Sequence, residues 1–157
     1  MILRSRERRR DGTPANPTPV ENIVHLGTSL TQGAGGESQA GYRKRLYDEL
    51  KTLGCHFRFV GTQTDPTPAF AEPFHDGFSG ALLTQLHAEV TQNFGPGKAI
   101  PDARMVIVQA GFPDLLGGYN ATVASSFTTL CDLLYGKVGA RTREAFKARL
   151  GIRARSG

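Results

Sequence analysis

The chain has 157 residues, of which 39% are hydrophobic and 21% are charged, and its formal net charge is +5. This length and balance favour one folded domain with its own hydrophobic core, and they exclude a multidomain protein, a collagen-like chain and a chain disordered throughout. The positive charge lies at the two ends: residues 1–10 carry +4 and residues 137–157 carry +6, which leaves −5 for the segment between them. Because charged chain ends are usually solvated, we expect no specific nucleic-acid partner.

The sequence carries no signal for a membrane span, for secretion or for a bound metal. It has no run of 18 apolar residues, and polar residues follow the Arg-rich start where a signal peptide needs an apolar segment. We therefore expect a cytoplasmic protein with no membrane partner. Cys55 and Cys131 are too few to form a four-cysteine zinc site. We expect both to be small core residues, and we expect neither a metal nor a cofactor.

The first elements follow a leader. Residues 1–20 combine arginines with prolines among small polar residues, which predicts an unstructured segment. The folded domain is predicted over residues 21–135. Its first strand is the short, mostly apolar run 23–26, and a Gly- and Ser-rich connection follows over residues 27–41.

The remaining elements are predicted from periodicity. Apolar residues recur every three or four positions over 42–53, 82–94 and 123–134, which predicts three amphipathic helices. Residues 55–60 alternate between apolar and polar, and residues 105–108 are apolar throughout. These two runs predict two further strands, the second of them buried on both faces.

This order of strands and helices is typical of an α/β fold in which helices cover both faces of a parallel sheet. In such sheets, ligands bind at the carboxyl ends of the strands. Here those ends lead into residues 27–33, into a long loop predicted over 61–80, and into residues 109–114. We therefore expect any chemistry in these three loops.

Residues 27–33 have the sequence Gly-Thr-Ser-Leu-Thr-Gln-Gly and follow the first predicted strand directly. They resemble the first block, Gly-Asp-Ser-Leu-Thr-x-Gly, of the SGNH or GDSL-type hydrolases, which cleave esters. The resemblance covers about residues 21–135 and implies a flavodoxin-like, three-layer α/β/α fold. It makes Ser29 the counterpart of the nucleophile and Gly80 the counterpart of a glycine whose N–H helps to hold the oxyanion. Residues 59–63 are similar to members of the family that act on acetylated carbohydrates.

The sequence also departs from the family pattern. Thr28 stands where the family has an Asp that shapes the nucleophile loop. Gly111 and Asp114 match the third block, Gly-x-Asn-Asp, but Pro113 replaces its Asn and offers neither an amide side chain nor a backbone N–H. One oxyanion donor is therefore missing, a loss that costs about 10²–10³ in rate in other hydrolases.

The family's last block, Asp-x-x-His, has no counterpart. None of the four histidines follows an Asp by three positions: His25, His56, His75 and His87. We expect His25 to be a core histidine of the first strand. His75 lies in the predicted loop near Gly80, and two interpretations of it remain open: a substitute base for Ser29, or a surface histidine.

Residues 136–157 form a basic tail whose composition differs from that of the domain. The last two strands and the last helix of the family fold also have no counterpart in this sequence. We interpret the tail as the product of a truncation or a reading-frame change, with a genuine divergent tail as the alternative. A parallel sheet without those strands has an unpaired edge, through which we expect self-association.

Three functions remain open at this point. The first is a serine ester hydrolase for a small acyl ester or an acylated carbohydrate, working without a metal and impaired or inactive because it lacks a base. The second is a noncatalytic, truncated remnant. The third is a phosphate- or flavin-binding module that uses the N–H groups of residues 28–33, although the segment lacks the Lys of a P-loop.

Overall fold

The computed structural model describes residues 20–35, 39–66, 70–118 and 120–137. The predicted leader up to residue 19 and the tail beyond residue 137 lie outside the described residues. In chain order, the elements are β1 (Glu21–Gly27), α1 (Ser29–Gln32), α2 (Tyr42–Thr52), β2 (Phe57–Val60), β3 (Gln63–Thr64), β4 (Phe74–Gly77), α3 (Leu83–Asn93), β5 (Met105–Gln109), α4 (Phe112–Leu115) and α5 (Ala121–Lys137). The α/β fold class predicted from the sequence is confirmed.

The sheet is organised around β1, which pairs in parallel with β2, β4 and β5. The register brings the last residue of β1, Gly27, opposite both Gly77 of β4 and Gln109 of β5. The two residues of β3 pair antiparallel with β4. The predicted parallel sheet is thus present in four strands, with a short antiparallel addition.

Helices cover both faces of this sheet. Because successive side chains of a strand point to opposite faces, β1 contributes to two cores. One core joins Val24 and Leu26 of β1 to buried residues of two helices: Leu83, Leu86 and Val90 of α3, and Leu130 and Leu134 of α5. The other core joins Ile23 of β1 and the β2 residues Phe57 and Phe59 to three apolar residues of α2: Leu46, Tyr47 and Leu50. The molecule therefore has three layers.

The long loop predicted over residues 61–80 is wrong, because this segment contains β3 and β4. The sequence of β4, Phe-His-Asp-Gly, gives no apolar alternation. Its polar residues His75 and Asp76 are 3% and 0% exposed, whereas Phe74 is 45% exposed. Hydrogen bonds to buried polar groups, rather than apolar burial, hold this strand in the fold.

Two other expectations about burial are also wrong. Cys55 and Cys131 are exposed, because Cys55 lies between α2 and β2 and Cys131 lies on the outer face of α5. Strand β5 is not buried on both faces: Met105 is 50% exposed, and the other four residues of the strand are partly exposed. Among the described residues, β5 pairs with β1 alone.

None of the helices in the described part of the chain combines the length and apolar character that a membrane crossing requires.

We expect self-association through the outer edge of β5. Its sequence, Met-Val-Ile-Val-Gln, carries no charge that would oppose pairing with another strand. Met105→Lys should therefore lower the fraction of dimer measured by analytical ultracentrifugation. Leu53→Lys places the same charge at another exposed apolar position, just after α2, and should leave the dimer fraction unchanged. A protein that stays monomeric at every concentration would refute this expectation.

Candidate functional site

Three strand ends meet at one edge of the sheet. The N–H of Thr28 donates to the carbonyl oxygen of Gln109 (3.1 Å), and the N–H of Phe78 donates to the carbonyl oxygen of Gly27 (2.9 Å). The loops that follow β1, β4 and β5 therefore start side by side. This juxtaposition is the one expected for the ligand edge of an α/β sheet.

Two glycines make this close approach feasible. A Cβ atom on Gly27 would lie 2.1 Å from the carbonyl oxygen of Gln109, and one on Gly77 would lie 2.3 Å from the backbone nitrogen of Gln32. Any other residue would push β1 away from β5, or α1 away from β4. Gly27, two residues before Ser29, is therefore required for this packing.

Ser29 is the first residue of α1 and is half-buried. Among the described residues, its hydroxyl group has no hydrogen-bond partner. The preceding Thr28 is buried, and its hydroxyl donates to Oε1 of Gln109 (3.2 Å) rather than capping α1. Thr28 and Gln109 thus tie the Ser29 loop to the end of β5, and sequence reasoning did not identify Gln109.

Gly80 lies in the connection between β4 and α3, as expected. It is exposed, it has a φ of +75°, and a Cβ atom there would meet open space. Within the described part of the chain, the backbone N–H groups of Ser29 and Gly80 have no hydrogen-bond acceptor. Both groups are therefore able to bind an oxygen atom of a ligand.

Gly111 and Asp114 begin the loop after β5. Gly111 is buried, has a φ of +93° and precedes α4, whose second residue is Pro113. Both carboxylate oxygens of Asp114 accept from the N–H of Leu83, the first residue of α3 (3.2 and 3.1 Å). Asp114 therefore fixes the start of α3, and with it the segment that contains Gly80, to the loop after β5.

His75 is a buried residue of β4, so the interpretation of it as a surface histidine is wrong. Its Nδ1 accepts from the N–H of Gly77 (3.0 Å), and its Nε2 lies 3.4 Å from Oδ1 of Asp65. Both ring nitrogens thus face groups other than Ser29. Burial, together with the nearby Arg43, lowers the pKa of His75 to about 4.

His25 is a core histidine, as predicted. Its Nδ1 lies 3.1 Å from the hydroxyl oxygen of Tyr42, and its ring packs edge-on against Phe59. Burial is the main reason that the pKa of His25 falls to about 3. Like His75, it belongs to the structural core of the fold.

Arg43 of α2 is fully buried and holds the loop that contains Ser29. Its guanidinium donates to the carbonyl oxygens of Thr31 (2.8 Å), Gln32 (3.2 Å), Gln39 (3.4 Å) and Pro73 (3.2 Å), and to both carboxylate oxygens of Asp65 (2.5 and 3.3 Å). Burial of this cation is tolerated because all its N–H groups have acceptors. In the sequence, Arg43 is one of the polar residues between the apolar positions of α2. Its burial and its contacts with the loop that contains Ser29 were therefore not predicted.

Two cavities border the loops. One, of about 270 Å³, is lined by residues 78–81 and by one side of α3. The other, of about 400 Å³, lies between α3, α4 and α5 next to Gly111. In the described ranges, no group of three or more His, Cys, Asp or Glu residues is placed to hold a metal ion.

Comparison with known proteins gives matches among solved structures. No protein-family model and no curated protein matches the sequence. The family 3 carbohydrate esterase of Clostridium thermocellum is 26% identical at a TM-score of 0.65, over 85% of this chain and 70% of that one. AlinE4, an SGNH-hydrolase family esterase, is 20% identical at 0.55, over 76% of this chain and 55% of that one. A carbohydrate esterase family 3 structure from Talaromyces cellulolyticus is 20% identical at 0.56, over 75% and 57%.

The predicted resemblance to SGNH-type hydrolases is thus confirmed, at low sequence identity. The last two of these matches, at 20% identity, show the fold alone. The chain spans 70% of the clostridial esterase and less than three fifths of the other two proteins.

We expect Arg43→Met to lower the free energy of unfolding by about 3–5 kcal/mol, because it leaves the buried carboxylate of Asp65 without its cation. Lys44→Met is the matched control, since Lys44 forms an exposed ion pair with Asp48 on the same helix. That substitution should cost less than about 0.5 kcal/mol. Urea denaturation measures both, and similar losses for the two variants would contradict the assignment.

Stability should also fall in acid. Both buried histidines are neutral when folded, with pKa values lowered from 6.5 to about 4 for His75 and to about 3 for His25. As the pH falls from about 6.5 towards 4, the unfolded chain takes up protons that the folded protein does not. At about pH 4, His75 alone should then lower the free energy of unfolding by about 3 kcal/mol. Above pH 7 it should not change the free energy of unfolding, because the histidine is neutral in both the folded and the unfolded chain.

Urea denaturation at pH 7.5 and pH 4.5 tests this expectation. His75→Gln should reduce the difference between the two pH values, whereas His56→Gln, at an exposed position, should not. Equal free energies of unfolding at both pH values would show that neither buried histidine governs acid stability.

Proposed function

We propose that this chain is a serine ester hydrolase of the SGNH type whose activity is impaired because, among the described residues, no base lies beside its nucleophile. Ser29 is the nucleophile, and the N–H groups of Ser29 and Gly80 bind the oxyanion. The observation that carries this proposal is the edge of the sheet at which β1, β4 and β5 end together, with Ser29 following β1 and Gly80 following β4.

The reaction would pass through an acyl-enzyme. In the acylation step, water takes the proton of the Ser29 hydroxyl as its oxygen attacks the ester carbonyl carbon. The tetrahedral intermediate then breaks the bond to the alcohol, which leaves with a proton from solvent, and a second water hydrolyses the acyl-serine to release the acid and restore Ser29. The resulting tetrahedral oxyanion needs donors already in place, which free N–H groups at the loop starts can supply. No metal enters this scheme.

Two catalytic groups of the family pattern have no counterpart in the sequence, the base and one oxyanion donor, and we expect their loss to limit the rate of ester hydrolysis. A serine hydroxyl is a weak nucleophile until a base removes its proton. His75 does not support that role, because its ring nitrogens face Gly77 and Asp65. Loss of a triad member can cost about 10⁶ in turnover, and such losses are not additive, so the missing base outweighs the missing donor at Pro113.

The substrate class we propose is a small acyl ester, with acetylated carbohydrates as the preferred group. The names of two structural neighbours, both carbohydrate esterases of family 3, support this choice. The similarity of residues 59–63 to esterases that act on acetylated carbohydrates points the same way.

The phosphate-binding alternative has no supporting contact. The nearest buried cation, Arg43, donates to carbonyl oxygens and Asp65, so it is not available to a phosphate at Thr28 or Ser29. The noncatalytic alternative differs from our proposal only in the residual rate.

We expect hydrolysis of p-nitrophenyl acetate to stay close to the rate in buffer. Ser29→Ala should change this rate little, since the hydroxyl lacks a base and the binding groups remain. Ser125→Ala, at an exposed serine of α5, serves as the control. Initial rates measured from p-nitrophenolate absorbance provide the test.

Robust turnover that Ser29→Ala abolishes and Ser125→Ala preserves would overturn the impaired state. His75→Ala would then show whether His75 leaves the core to act as the base. A purified protein that carries a bound flavin would instead favour the phosphate-binding alternative.

A further inference from the structure

The cavity of about 270 Å³ lies directly against Gly80. One side is formed by residues 78–81, and the other by Gln85, Leu86 and Glu89 on successive turns of α3. Its accessible wall therefore combines the half-buried Phe78 with three polar side chains: Ser79, Gln85 and Glu89. In ligand pockets, a few polar groups of this kind fix the orientation of the ligand and give specificity.

The orientation of Gln85 is fixed by the backbone. Its side-chain oxygen Oε1 accepts from the N–H of Leu82 (2.8 Å), so the contact with the backbone uses the oxygen of the amide and not its nitrogen Nε2. Within the described residues, Nε2 has no acceptor. Gln85 can therefore offer two N–H donors to a ligand.

Glu89 is held in place through one of its oxygens. Oε1 accepts from Nδ2 of Asn93 (2.5 Å) and lies 3.3 Å from the hydroxyl of Thr62. The Thr62 hydroxyl is closer to Oδ1 of the buried Asp76 (2.8 Å), so its single hydrogen serves Asp76. Oε2 of Glu89 has no partner in the described part of the chain and remains an acceptor for a ligand.

We propose that this cavity binds the alcohol part of the ester as a single polyhydroxylated ring of the sugar type, and that Gln85 and Glu89 determine this specificity. The inference rests on the proposed function, because Gly80 in the cavity wall is the proposed oxyanion donor. Donors on Gln85 and a charged acceptor on Glu89 match vicinal hydroxyl groups, each of which both donates and accepts. The half-buried side chain of Phe78 suits the C–H face of a ring.

The same arrangement disfavours an alkyl alcohol. A hydrocarbon ring in the cavity would remove water from Glu89 and Gln85 without returning a hydrogen bond, which costs free energy. The larger cavity beside Gly111 lacks such charged groups, because its wall is mainly apolar: Leu83, Leu115, Val123 and Phe127. It is therefore not the site for the hydroxylated part.

Binding can be measured without turnover. Titrations followed by NMR would use an acetylated methyl xyloside, and as its matched ligand cyclohexyl acetate, which has the same ring size and ester but no hydroxyl groups. We expect the xyloside to bind at least about tenfold more tightly, and Glu89→Gln to weaken it by about tenfold or more while leaving cyclohexyl acetate unchanged. Glu49→Gln, an exposed position on α2, should alter neither affinity.

Equal affinity for the two esters, no binding of either, or no effect of Glu89→Gln would overturn the assignment of this cavity. If Glu89→Gln lowers the melting temperature enough to unfold the protein, Ser79→Phe decides the question instead. Ser79 is exposed at the cavity, so its replacement by Phe should fill the space and abolish binding of the xyloside without unfolding the protein.

The two proposals fail in different ways. Ser29→Ala should still bind the xyloside, since Ser29 does not line the cavity. Loss of the expected binding with slow ester hydrolysis would refute only the cavity assignment. Rapid hydrolysis that depends on Ser29, with the expected binding intact, would refute only the impaired state of the enzyme.

Discussion

The buried guanidinium of Arg43 is the interaction on which the arrangement of the site depends. It joins the end of α1, the residue Asp65 after β3 and the approach to β4, so that segments far apart in sequence are held by one side chain. The desolvation of a cation is costly, and only complete hydrogen bonding offsets it. The position of Ser29 above the sheet is therefore tied to a contact made entirely within the core.

The same core explains why neither buried histidine is placed as a base for Ser29. Burial and the nearby Arg43 lower the pKa of His75 to about 4, which makes it a weak base, and its ring nitrogens face Gly77 and Asp65. His25 is likewise enclosed between β1 and α2. The two histidines that lie in the sheet thus pack within the core, and they are not placed to remove the Ser29 proton.

Asp114 connects the two halves of the proposed function. Its carboxylate holds the first residue of α3, and the same helix supplies Gln85 and Glu89 to the cavity beside Gly80. The proposed oxyanion donor and the residues proposed to recognise the alcohol are therefore linked to the loop after β5 through this contact. An arrangement of this kind allows a ligand to be bound with its ester at the sheet edge even where the chemical step is slow.

The resemblance to SGNH-type hydrolases singled out Gly80 and Gly111. Local patterns in the sequence determined the α/β order and the strand before Ser29, because periodicity depends on near neighbours. They did not determine β4, the burial of Arg43 and His75, the exposure of both cysteines, or the role of Gln109. The buried polar contacts among these depend on partners distant in sequence: Arg43 on Asp65, and Gln109 on Thr28. Only the tertiary structure decided them, since a polar side chain is buried where the folded chain brings it an acceptor or a donor.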